Sequence, residues 1–327
     1  SNMNNQFFMS VLNTELDQVW NRKEIATSLN AANVNSACVD NNGNVYVGYR
    51  YSVENNEYIG RVTVYQSQGK PRNIDIKTPN GFVHKVAVVP AKKGDAVYMA
   101  GAYAGNADCL IGVFSQTVAT ANFKPGKLQS KEFSPELVKQ LDKESWASTK
   151  SKKYGLWPIT LKAYELEDGS IGMAGQFERY TSTERHSYVH TGAILNVRLN
   201  GSNDQITWIP RYRVSAGNII GSSYYAFPHK DKLLIFYNDE ADNLKKEVGE
   251  KYSTSNNYKN VVLAVATMDE NGKLKREKLI DLANENYLPV GESIFPITPT
   301  SLAVPILKIK GAGGIGAESK TGVINIE

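Results

Sequence analysis

The 327 residues predict an all-β fold, and three observations carry that expectation. Val, Ile and Tyr fall in short runs rather than long helical stripes, in a chain with 26 Gly and 18 Tyr. A turn followed by an alternating strand ending in small and aromatic residues recurs. It reads VDNNGNVYVGYRY from Val39, AKKGDAVYMAGAYA from Ala91, LEDGSIGMAGQFER from Leu166, HKDKLLIFYNDEAD from His229 and, more weakly, TPTSLAVPILKI from Thr298. A longer phrase is written twice, as LNTELDQVW from Leu12 and LNGSNDQITW from Leu199. Recurrence at blade-sized spacing marks a propeller or an array. The expected architecture is therefore a single β-propeller domain of four-stranded antiparallel blades over residues 1–327.

Ser1-Asn2 ahead of Met3 reads as the remnant of a removed tag and stays outside the fold argument. The twice-written phrase is a hairpin, with Asn, Asp and Gly supplying the turn and Trp20 or Trp208 opening the returning strand. Each recurring unit has the order of a strand entering the turn, a strand leaving it, a third strand, a hairpin and a fourth strand. The unit around His229 shows this best, as SSYYAFP, KLLIFYN, NVVLAVATM, the turn Asp269-Glu270-Asn271-Gly272, and KREKLIDL. Radial stacking buries both faces of each sheet, which accounts for strands apolar on both sides. One insertion, at about 124–157, breaks the β pattern. Within it FSPELVKQLDKESW predicts a short helix near 134–146, with Ser134 as N-cap, Pro135 at the first helical position, and Phe133 and Val138 as a hydrophobic staple. KSKKYGLWP from Lys150 reads as a loop, and the closing TGVINIE as another third strand. The economical count is five blades, with the N-terminal strands completing the last and one strand left over. Six blades, one of them degenerate or truncated, is the competing count.

Composition narrows the function classes. Lys and Arg number 37 against 33 Asp and Glu, so the net charge of +4 implies no phosphate-tracking groove and no nucleic-acid partner. No run approaches the roughly 18 apolar residues of a membrane span. Cys38 and Cys109 lie on apolar strand-like segments and read as small buried hydrophobes. His186 and His190 in HSYVH would stand about 13 Å apart on an extended strand, too far to share a metal. Asn238 to Asn243 clusters oxygen ligands, but without the spacing or glycine of an EF-hand loop, and reads as a solvated loop. GAGGIG from Gly311 lacks the lysine of a phosphate loop and reads as a flexible turn. No Gly-x-Ser-x-Gly elbow is present, and neither cysteine has a nearby histidine in sequence. No metal, no cofactor and no catalytic residue is expected from these motifs.

The stretch DNNGNVYVG from Asp40 to Gly48 resembles the bacterial β-propeller repeat that reads Asp, two variable residues, then Gly-Asn-Val-Tyr-Val. The layout is similar to that of uncharacterised secreted or surface-attached propellers of Bacteroides-type bacteria. The resemblance implies a propeller and export to the periplasm, cell surface or medium. It brings no functional residues with it. The other units keep only the glycine, at Gly94 and Gly169, or lose it at Asp231-Lys232. Trp-Asp endings, kelch double glycines and sialidase boxes are missing.

Position then selects a candidate face. The second strand of each unit delivers residues to the end where second-to-third-strand loops emerge. These are Tyr49, Arg50 and Tyr51; Tyr103; Glu178, Arg179 and Tyr180; and Tyr237, Asn238 and Asp239. Aromatic, arginine and acidic groups gathered there suit a glycan or a protein partner. The alternative is that the tyrosines pack between blades. The leading expectation is an exported binding module for a glycan or protein. The competing one is a carbohydrate hydrolase or lyase using carboxylates around the ring, such as Glu178 and Asp239.

Overall fold

The computed structural model describes residues 5–26, 34–52, 58–105, 110–143, 159–182, 187–211, 213–216, 224–247, 250, 260–269, 271–281, 285–310 and 314–327. It is a β-propeller of antiparallel blades that follow one another in chain order. A hairpin comes first, β1 (Asn5–Leu12) with β2 (Gln18–Ala26). The first blade is β3 (Val34–Val39), β4 (Val45–Ser52), β5 (Tyr58–Tyr65) and β6 (Arg72–Ile76). The second is β7 (Phe82–Pro90), β8 (Ala96–Ala104), β9 (Leu110–Ala119) and β10 (Gln129–Glu132). Helix α1 (Pro135–Lys143) leads towards the third, β11 (Ile159–Glu165), β12 (Ile171–Ser182), β13 (Ser187–Leu199) and β14 (Gln205–Ile209), where β15 (Arg213–Ala216) continues the line of β14 along β13. The fourth is β16 (Tyr224–His229), β17 (Lys232–Glu240), β18 (Val261–Met268) and β19 (Leu274–Ile280). In the last, β20 (Tyr287–Pro289) and β21 (Phe295–Thr298) share one edge of β22 (Ser301–Lys310), and β23 (Gly314–Asn325) takes the other.

The turns between first and second strands explain the recurring sequence element. Asp40 Oδ1 accepts the backbone N–H groups of Asn42 and Asn44, while Oδ2 accepts from Asn44 Nδ2 and the Tyr46 hydroxyl. Gly43 sits at φ +77°, where a side chain is strained, so each fixed letter of the motif has a job in closing the turn. Asp168 braces the corresponding turn of the third blade through the N–H of Ser170, and Asp269 braces the turn between the third and fourth strands of the fourth blade through those of Asn271 and Lys273. The twice-written phrase folds as two matching hairpins. Asn13 Oδ1 collects the N–H groups of Glu15 and Asp17, and Asn200 Oδ1 those of Ser202 and Asn203. The helix also forms as its sequence requires. Ser134 Oγ caps the N–H of Leu137, and Phe133, Leu137 and Val138 pack against the core of the second and third blades.

First strands of successive blades touch one another, β3 with β7, β7 with β11 and β11 with β16, which sets them along the inner side. Neighbouring sheets meet face to face through apolar side chains. Val11 packs on Val45, Val47 and Tyr49; Tyr46, Val62 and Val64 on Val86, Val97 and Met99. Ala100, Ala102 and Val113 meet Met173, Leu195 and Trp208; Ala174 and Ile194 meet Ile235 and Ala264; Phe236 and Leu263 meet Leu302 and Val304. One expectation is corrected here. The N-terminal hairpin does not complete the last blade; it forms a two-stranded sheet of its own on the first. Trp20 Nε1 donates to Gly43 O and Arg22 to Gln66 O, and these two anchors, with Val11 and Met9, hold it there.

Candidate functional site

A cluster of polar side chains, with a buried imidazole N–H at its centre, lies where β4 ends and β7 begins. The run FVHKVAVV places two polar residues, His84 and Lys85, inside an apolar strand. The strand accommodates them with a bulge: Val83 pairs with Tyr103 and Lys85 with Ala102, leaving His84 as the extra residue. Arg50 projects from β4 on the side facing the second blade, its Nη1 3.2 Å from His84 Nδ1. Its guanidinium carbon lies 4.5 Å from the centre of the Tyr58 ring, which packs at 5.5 Å on Phe82.

This geometry fixes the imidazole. Arginine only donates, so His84 Nδ1 accepts and Nε2 carries the proton. That Nε2–H is buried and has no acceptor among the described residues. Burial, then the positive charges of Arg50 and Lys85, push the His84 pKa down to about 3, so the ring is neutral at physiological pH. Burial and Arg50 also lower the pKa of Lys85, against the opposing pull of Glu178. Glu178 follows a second bulge, between Gln176 and Glu178 on β12, and accepts from Gln176 Nε2 at 3.2 Å. Gln176 in turn accepts from Arg211, a fully buried guanidinium where the line of β14 and β15 is interrupted. The site thus gathers two cations and a neutral imidazole donor, with Glu178 as the acid acting on Lys85.

The ten residues selected from sequence separate into distinct environments. Arg50 and Glu178 belong to this cluster. Tyr51 points to the opposite side of β4 from Arg50, where its hydroxyl accepts from Arg61 Nη2 at 2.6 Å, and Arg61 forms a two-pronged pair with Asp75. Tyr49 is buried under the hairpin and bonds Thr63; Tyr103 is buried between the first and second blades, and Tyr237 between the third and fourth. Asn238 is fully buried and ties the fourth blade to the last, donating to Pro289 O at 2.7 Å and accepting from Gly291 N at 3.0 Å. Asp239, also fully buried, accepts from Glu240 N and Asn243 Nδ2. The loop read as solvated is therefore an internal brace, and burial removes Tyr49, Tyr103, Tyr237, Asn238 and Asp239 from an open face. The side chains of Arg179, Tyr180 and His190 lie outside the described set, as do Cys109, His186 and residues 150–158 and 311–313. Cys38 is a free thiol whose pKa burial and Asp40 raise to about 12, an unreactive state. No group of three or more metal-ligating side chains occurs among the described residues, and none of their helices is long and apolar enough to cross a membrane.

Sequence reasoning missed His84, Lys85, Gln176 and Arg211 as partners. The broken alternation at His84-Lys85 was the available signal, since consecutive polar residues in an apolar strand mark a bulge.

No family model matches the chain, and no curated protein matches it in sequence. Solved structures resemble it at low identity. An α-L-arabinanase from Penicillium chrysogenum has a TM-score of 0.35 and 8% identity, over 91% of this chain and 94% of that one. An exo-beta-1,3-galactanase from Clostridium thermocellum has a TM-score of 0.33 and 9% identity over 97% of this chain, which spans 61% of the galactanase. An α-L-arabinofuranosidase from Coprinopsis cinerea has a TM-score of 0.33 and 8% identity, over 90% and 92%. At these TM-scores the likeness transfers no residue or activity, and the fold rests on the strand pairing itself.

Proposed function

We propose that the protein recognises a carbohydrate bearing an acidic group, held where β4, β7 and β12 meet. The observation that carries this reading is the buried, unanswered Nε2–H of His84 beside the Arg50 guanidinium. A carboxylate or sulfate on a sugar would accept from both, and charge-assisted bonds of this kind are the strong ones. Lys85, disfavoured as an ammonium by burial and by Arg50, would be stabilised when an anion arrives. The Tyr58 ring, already under the guanidinium, offers an apolar surface to a sugar ring. An exported location, as the resemblance to surface-attached propellers implies, belongs to the same proposal, and fractionation of the source cells tests it.

A second reading is catalytic. A base beside a guanidinium is what removal of a proton next to a sugar carboxylate requires, and Lys85 is a base biased towards neutrality, whereas His84 has its one lone pair engaged by Arg50. A hydrolase built on Glu178 with Asp239 is not proposed, because Asp239 is fully buried and engaged with its own turn. Titration calorimetry with a uronate polymer and a neutral arabinan tests the first reading. The expected result is binding of the acidic polymer alone, weakened about tenfold or more in Arg50→Met, the equivalent of ~1.4 kcal/mol. Equal binding of both polymers, or an unaffected variant, removes the proposal. Growth of ultraviolet absorbance from an unsaturated product on incubation with the acidic polymer, lost in Lys85→Met, would favour the catalytic reading.

A further inference from the structure

The junctions between neighbouring sheets each have an apolar core, and exposed apolar side chains stand at both ends of the series. The hairpin turns Val11 and Trp20 towards the first blade. Its other side, defined by the pairs Phe8 with Lys23 and Ser10 with Asn21, leaves Phe8 75% exposed, and Val19 at the bulge between Val11 and Leu12 is 57% exposed. The last blade turns Leu302, Val304 and Ile306 towards the fourth. Its far side carries the cross-strand row Phe295, Ala303 and Val323, with Phe295 52% and Val323 58% exposed and Ile297 nearby at 54%. The outer edge of β23 pairs with no strand among the described residues, whereas the third strands of the four preceding blades are followed by β6, β10, β14 and β19.

We propose that a second copy of this chain covers these surfaces, the hairpin of one copy stacking on the far side of the last blade of the next. Continuity is the argument. The hairpin's free side and the last blade's free side are the two halves of one more junction in a series whose other members are all closed by apolar contact. The sequence agrees, because LNTELDQVW repeats the hairpin that joins the third and fourth strands of the third blade, and among the described residues the last blade shows no strand beyond β23. Phe8, Val19, Phe295, Ile297 and Val323 are each more than half exposed in their own chain, which leaves them available to a second copy. The contact is heterologous, since different patches meet, and it leaves each new copy with one free end unless the set closes into a ring. Exposed strand edges beside apolar patches are the usual seeds of such pairing.

The test is sedimentation velocity across a hundredfold range of concentration on the wild type, Phe8→Lys and Val323→Lys. The wild type should grow in mass with concentration, and each variant should remain a monomer with an unchanged far-ultraviolet spectrum. An equimolar mixture of the two variants should form a capped dimer, because each retains the half the other has lost. Val19→Lys and Ile297→Lys provide a second pair should either first variant misfold. A wild type that stays monomeric throughout overturns the proposal. So does a mixture that stays monomeric, and so does a Val323→Lys chain that dimerises by itself, which would mean a symmetric hairpin-to-hairpin contact.

Discussion

Moderate acid should weaken this fold through His84. The imidazole is 4% exposed, and Arg50 and Lys85 face it from β4 and β7. Folded, its pKa is about 3; unfolded, it returns to 6.5. Between those values the unfolded chain binds a proton that the folded chain refuses, so stability is fully present above pH 6.5 and is lost progressively as pH falls towards 3. Each pH unit inside the window costs ~1.4 kcal/mol, so going from pH 7 to pH 5 removes about 2 kcal/mol. Ordinary carboxylates titrate mainly below that interval. Urea unfolding at both pH values, on the wild type and on His84→Gln, reads the effect directly. The wild type should lose about 2 kcal/mol and the variant only a small part of that. An equal loss in both chains, or a His84 resonance titrating near pH 6.5 in the native protein, would refute the reasoning.

Asp40→Ala should cost about 3 kcal/mol by leaving the buried Asn44 and Tyr46 donors unanswered, against about 1 for Asp168→Ala, whose carboxylate is partly solvated; denaturant midpoints compare them. Burial tends to raise the Asp168 pKa, but bonds from Ser170 and Arg198 outweigh it and the net shift is downward. Its contribution is therefore present above the ordinary carboxylate range and fades as pH drops through the lowered value. Asn238→Ala should lower stability by about 2 kcal/mol and leave binding of an acidic glycan unchanged, since its bonds join two blades. Ser134→Ala should cost about 1 kcal/mol in thermal unfolding, the usual worth of an N-cap.

Local chemistry made much of the fold legible. Asp40, Gly43 and Tyr46 close their turn using groups within six residues of one another, so the sequence could announce the turn by itself. The helix start at Ser134 is equally local. The placement of the first hairpin was not legible, because Trp20 and Arg22 choose Gly43 and Gln66 over the last blade through contacts 23 and 44 residues away. The site was half legible for the same reason. Sequence position groups Tyr49, Arg50 and Tyr51 on one face although period-two alternation puts Arg50 opposite the two tyrosines, and only the stacking of blades shows that the Arg50 side meets His84. Asn238 and Asp239 looked like ligand groups because their types are polar, and nothing in their own stretch reveals that Pro289, Gly291 and Asn243 consume them.

The Asp-braced turns bear on how the chain reaches its native state. Closing a loop of a few residues with bonds from a carboxylate already inside it needs no help from distant segments. Hairpins of this kind form within about 1–10 μs. Assembly of one preformed hairpin layer upon the next is then the slow event on refolding. Damage to a single brace should therefore slow folding more than it speeds unfolding, because the braced hairpin is already formed when the layers assemble.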